Sequence, residues 1–115
     1  MAIVTNDPAI QPLDLKCARR AAYRTQVGSG SVNNNDETIE VDATAGAATL
    51  TLPPAAQHPG RVLKIKKIDA SANAVTIAVT GGSGDSTEVA SLATQNKYVE
   101  LRSNGVNNWR AYANN

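Results

Sequence analysis

From Thr38 onward, apolar and polar residues alternate with a period of two. Ile39 and Val41 alternate with Glu40 and Asp42, Leu50 and Leu52 with Thr49 and Thr51, Val75, Ile77 and Val79 with Thr76 and Ala78, and Val99 and Leu101 with Glu100 and Arg102. Successive side chains of a strand point to opposite faces, so each stretch predicts a half-buried strand. The segment from Arg61 to Asp69 begins the same way, with Leu63 and Ile65 inward and Lys64 and Lys66 outward. Lys67-Ile68 then inverts the order and puts Ile68 on the lysine face, so a β-bulge near Lys66-Lys67 is expected. Turn residues separate the strands at Ala45-Gly46, Pro53-Pro54, Pro59-Gly60, Ala72-Asn73, Gly81-Gly82-Ser83-Gly84-Asp85 and Asn104-Gly105. That spacing is close to the roughly 8–12 residues of sandwiches and barrels. The expectation is an all-β fold: a single antiparallel β-sandwich or short barrel of seven or eight strands. Its core is read as Leu50, Leu52, Leu63, Ile65, Val75, Ile77, Val99, Leu101 and Trp109.

The alternation is absent from the first part of the chain, and the charge shifts with it. Residues 1–35 carry Lys16, Arg19, Arg20 and Arg24 against Asp7 and Asp14, a balance of +2, whereas the rest carries seven basic and eight acidic groups, a balance of −1. Ile3, Val4, Ile10, Leu13 and Leu15 are spread around Pro8 and Pro12 without a period that would bury one face. Asp14 is placed to cap a short helix over residues 15–22, but no large apolar residues follow at helical spacing. Gly28-Ser29-Gly30-Ser31 and Asn33-Asn34-Asn35-Asp36 read as loop, because glycine and asparagine accept backbone conformations that strands exclude. The chain therefore divides into an extended N-terminal arm and linker, residues 1–35, and a β domain, residues 36–115. The arm needs a partner, and the residues expected to meet it are Ile3, Val4, Ile10, Leu13, Leu15, Arg19, Arg20 and Arg24.

A chain of 115 residues with 42% hydrophobic content buries one core and leaves little for a second domain. With no Phe, one Trp and three Tyr, that core is built from Val, Ile, Leu and Ala and is thin. Covering open sheet edges with identical chains is a physical remedy for a thin core, so self-association is expected. A net charge of +1 gives no field that argues for direct nucleic-acid or membrane binding. No apolar run approaches the roughly 20 residues of a spanning helix, and the N-terminus lacks a basic start and an apolar stretch of signal-peptide length. The expected place of synthesis is a cytoplasm.

Chemistry finds little support. Cys17 is the single cysteine and His58 the single histidine, so no internal disulfide and no zinc ligand set is expected. His58 lies in a turn with no nucleophile beside it, and Cys17, although flanked by Lys16, Arg19 and Arg20, reads as a small apolar contact of the arm. Gly81-Gly82-Ser83-Gly84-Asp85 lacks the lysine and the following helix of a phosphate-binding loop. Asp69, Asp85 and Glu88 match no calcium-loop spacing. No nucleophile and base, metal cluster or catalytic carboxylate pair emerges, and neither enzymatic activity nor a cofactor is expected. Trp109 is expected to plug the core, with sugar stacking as the sharper alternative.

The order of short motifs Leu50-Thr51-Leu52-Pro53, Pro59-Gly60-Arg61-Val62-Leu63-Lys64-Ile65-Lys66, Asn73-Ala74-Val75-Thr76-Ile77 and Ser103-Asn104-Gly105 with Trp109 resembles the small β modules of tailed-bacteriophage virion proteins. Such modules recur in tail-fibre and head-decoration polypeptides, and the resemblance covers about residues 38–112. It implies a virion structural protein on the capsid surface, a decoration or cement protein that binds the major capsid protein and stabilises the head. It also implies a homotrimer. The alternative it carries is a tail-fibre, tail-tip or baseplate component that binds a host glycan or another tail protein.

Overall fold

The computed structural model describes residues 22–80 and 85–115. Ten strands follow one another: β1 (Tyr23–Val27), β2 (Gly30–Ser31), β3 (Thr38–Asp42), β4 (Ala48–Leu52), β5 (Val62–Lys67), β6 (Val75–Val79), β7 (Ser86–Thr87), β8 (Ser91–Leu92), β9 (Tyr98–Ser103) and β10 (Asn108–Asn114). One 3-10 turn, Ala55–Gln57, follows Pro53-Pro54. The strands form a six-stranded sheet in the order β1-β3-β5-β9-β10-β7 and a four-stranded sheet in the order β2-β4-β6-β8.

Up to β8 the chain alternates between the two sheets, so each circuit lays one strand on the large sheet and one on the small sheet. Tyr23 of β1 registers with Thr38 of β3, and Thr38 with Lys64 of β5, all in parallel. On the small sheet β2, β4 and β6 also stack in parallel. Among the described residues, antiparallel pairing enters only where β9 joins β5, β10 joins β9 and β8 joins β6. The fold is all-β, as its alternation predicts, but solenoid-like rather than the antiparallel sandwich or barrel expected. Parallel neighbours need a crossover, and here each crossover contains a strand of the opposite sheet. The structured chain also starts before position 36, because β1 and β2 lie within the stretch read as arm and linker.

The core fills the space between the sheets. Ile39, Ile65 and Val99 stack through the large sheet, as do Leu63 and Leu101, facing Leu50 on Ile77 and Val75 beside Leu92 on the small sheet. All are buried. Burying each Leu, Ile or Val side chain is worth roughly 1.5–3 kcal/mol, which is how a core without Phe holds together. Trp109 contributes the largest buried side chain, and its indole N–H donates to the Pro53 carbonyl at 3.0 Å.

β5 corrects the expected bulge. Its alternation runs without a shift from Leu63 through Ile65 to Lys67, which registers with Val41 and is fully buried. The register shift occurs instead in β10, between Ala111 and Ala113.

Polar groups close the first circuit. The inward positions of β1 are Arg24 and Gln26, standing over Ile39 and Val41. Arg24 Nε pairs with Asp36 Oδ1 at 2.8 Å, and its other nitrogens donate to Gln26 Oε1 at 2.5 Å and to the Ser31 carbonyl at 3.0 Å. Gln26 packs so closely over Gly30 that an added Cβ there would sit 2.6 Å from its amide group. Asp36 also accepts the Asn33 N–H at 2.9 Å, and Arg61 Nη2 donates to the Asn33 and Asp36 carbonyls at 2.7 Å each.

Candidate functional site

The outer face of the large sheet collects what the core leaves out. Alternation sends Tyr98, Glu100 and Arg102 of β9 outward, with Lys64 and Lys66 of β5 and Thr38 and Glu40 of β3. Register sets them in two rows, Thr38 beside Lys64 beside Glu100, and Glu40 beside Lys66 beside Tyr98. All three tyrosines of the protein lie on this face, with Tyr23 61%, Tyr98 39% and Tyr112 64% exposed. Arg102 stacks over the Tyr112 ring at 5.5 Å, a contact between a cation and an aromatic face.

Between β3, β5 and β9 the face dips into a groove of about 220 Å³ lined by Thr38, Glu40, Lys64, Lys66, Tyr98 and Glu100, with the backbone of Ile65 and Val99 beneath. The ion pairs of the described residues are Arg24 with Asp36, Lys67 with Asp69 and Arg110 with Glu88; Lys64, Lys66 and Glu100 join none of them. Glu40 accepts a hydrogen bond from the Tyr23 hydroxyl at 2.6 Å. That bond, then burial and the carboxylate charge, raise the Tyr23 phenol above its ordinary pKa. The groove therefore presents an aromatic wall, aliphatic lysine stems and both signs of charge not neutralised by one another.

A second polar cluster lies inside the fold. Lys67 Nζ contacts Asp69 Oδ2 at 2.7 Å, the Asp69 carbonyl at 3.2 Å and Ser71 Oγ at 3.4 Å. Asp69 also accepts the N–H of Ala43 at 2.8 Å and both the N–H and the hydroxyl of Ser71. Bonds from Lys67, then Ser71 and Ala43, hold the Asp69 carboxyl well below the usual range despite burial. These bonds pin the turn between β5 and β6 to the turn after β3.

Of the residues singled out by sequence, Ile3, Val4, Ile10, Leu13, Leu15, Arg19 and Arg20 lie outside the described residues, as do Cys17, Gly81 to Gly84 and all but Ala22 of the helix expected over residues 15–22. Arg24 is described; its side chain is 28% exposed, and its guanidinium bonds Asp36, Gln26 and the Ser31 carbonyl. Leu50, Leu52, Leu63, Ile65, Val75, Ile77, Val99, Leu101 and Trp109 are all buried together. Trp109 is wholly inaccessible and offers no surface for sugar stacking. His58 follows the 3-10 turn, and burial and then the neighbouring Arg61 charge lower its pKa. Asp69 is consumed by Lys67, and Glu88 pairs with Arg110 at 3.2 Å. Among the described residues no three His, Cys, Asp or Glu side chains converge to hold a metal ion.

Tyr98 and its row were missed by the sequence reading. Their outward parity is visible along each strand, but their adjacency depends on a register that only the stacking supplies. No family model matches the chain, and no curated protein matches it either.

Proposed function

We propose that this is a non-catalytic structural protein of a virion, a capsid decoration protein acting as a homotrimer. It binds the major capsid lattice through its N-terminal segment and β domain and stabilises the head. The observation that supports this reading is the closed first circuit: Arg24, Gln26 and Asp36 cover one end of the described core with their own hydrogen bonds. The apolar residues Ile3, Val4, Ile10, Leu13 and Leu15, with Arg19 and Arg20, are then the partner-binding segment of a self-contained β block. The buried Lys67, Asp69 and Ser103 side chains of that block are hydrogen-bonded within the fold.

A protein that binds the assembled lattice and not its separated subunits stabilises it by RT ln(1 + [L]/Kd) per site, about 2.7 kcal/mol at a hundredfold excess over Kd. Many sites then add across a shell. The test is a set of particles lacking this protein, which are expected to assemble and package but rupture sooner on heating or osmotic shock, and to regain resistance when purified protein is added back. Deletion particles with normal durability and lost host adsorption would overturn the decoration reading in favour of a tail component.

A further inference from the structure

We propose that the groove between β3, β5 and β9 is a binding site for a single neutral sugar ring, with Tyr98 as its stacking wall. The inference goes beyond the structural role and holds wherever on a particle the protein sits.

The shape limits the ligand first. A groove of about 220 Å³ in the middle of a sheet face accepts something the size of one ring. It offers a peptide strand no free backbone edge, because β3, β5 and β9 are paired on both sides.

Charge limits it further. Lys64 and Lys66 run down the centre, Glu40 and Glu100 stand at opposite corners, and Thr38 and Tyr98 occupy the other two. A phosphate or other anion drawn to the lysines would lie against two carboxylates, and a cation drawn to the carboxylates would lie against two ammoniums. A purely apolar ligand would strip water from four charged groups and return no hydrogen bond. A sugar ring meets all three conditions. Each hydroxyl both donates and accepts, so one ring serves the carboxylates and the ammoniums at once, and bonds to charged partners are the stronger kind. Its C–H face finds the exposed Tyr98 ring and the lysine stems, amphipathic surfaces of the type that polar-rimmed ligand sites use. The Tyr23 hydroxyl holds Glu40 at 2.6 Å, which fixes one acceptor before the ligand arrives.

The test titrates the isolated protein with glucose, galactose and N-acetylglucosamine, with inorganic phosphate and arginine as an anion and a cation of similar size, while following amide shifts by NMR. The expected result is a saturable shift confined to residues of β3, β5 and β9 with at least one sugar at millimolar concentration. Tyr98→Ala is expected to weaken it tenfold or more, whereas Tyr98→Phe, which keeps the ring, retains it within about threefold. Tyr98 is exposed and outside the core, so both variants keep the fold, which the unchanged shifts of Val75 and Ile77 would report. Absence of saturation by all three sugars, stronger binding of phosphate or arginine than of any sugar, or a response indifferent to Tyr98→Ala would each overturn the proposal. Because the measurement uses free protein, it can fail while add-back to particles succeeds, and the reverse.

Discussion

Trp109 and Lys67 are both fully buried, yet only one of them announces itself in the sequence. Trp109 falls at an inward position of an alternating strand and is the largest side chain available to an aliphatic core. Trp109→Ala is expected to destabilise the fold by roughly 3–5 kcal/mol, the cost of a large truncation with a cavity left behind. Native tryptophan emission should be blue-shifted and protected from acrylamide; red-shifted, quenchable emission would contradict the burial. Lys67 has the same inward parity, but lysine is normally read as outward, which is why a bulge was expected in its place. The signal that explains it is the pair of polar residues at the same parity, Asp69 and Ser71, which meet its ammonium. That cluster has a pH signature. The folded state holds the Asp69 carboxyl below its unfolded value, so its contribution to stability is fully present above about pH 4 and is lost as the solution becomes more acidic. Denaturation midpoints are therefore expected to fall between pH 7 and pH 3, and Asp69→Asn, although less stable at neutral pH, should show a shallower fall. An equal fall in both proteins would place the acid sensitivity elsewhere, with Asp36 next in line because its bonds from Arg24 and Asn33 outweigh its burial.

At the scale of elements, alternation revealed the strands from β3 onward and concealed their direction. A period of two is the same in parallel and antiparallel strands, so Ile39, Leu63 and Val99 identify an inner face without saying how their strands run. What separates the cases is the content of the connections, and β2 and β4 are themselves the crossovers from β1 to β3 and from β3 to β5. The first circuit was hidden for a different reason: its inward residues are Arg24 and Gln26, so β1 carries no apolar stripe and reads as arm. The candidate groove was half legible, since Glu40, Lys64, Lys66 and Glu100 are visibly outward along their strands, but their adjacency to one another and to Tyr98 comes only from stacking. Because the first circuit rests on hydrogen bonds more than on apolar contact, it is expected to open locally. Arg24→Ala removes three of those bonds and leaves Asp36 without its ion-pair partner. Amide exchange over Tyr23–Val27 should then accelerate by about tenfold or more, while β5 and β9 keep their protection, since each 1.4 kcal/mol of local stability is a factor of ten. Uniform acceleration in all strands would show that β1 and β2 unfold with the whole molecule.

At the scale of the whole molecule, the distinction that matters is between what holds the β block together and what attaches it. The buried apolar residues described run from Ile39 to Trp109, and the polar cover at one end is made by residues from Arg24 to Arg61. A chain shortened to residues 22–115 should therefore melt within about 4 °C of the full protein, the shift that roughly 1 kcal/mol produces in a domain of this size. On the decoration reading, the same shortened chain should fail to restore durability to particles lacking the protein. Both outcomes are needed, because each alone has another explanation. Loss of add-back with a lowered midpoint would mean that residues 1–21 belong to the fold, so attachment would remain assigned to no segment. An unchanged midpoint with full add-back would assign attachment to the β block alone and make its outer face, with Tyr23, Val27 and Tyr112 exposed, the surface that meets the lattice. Only a stable block that has lost its hold on the particle separates the two roles, and melting curves with particle rupture measured on one preparation decide it.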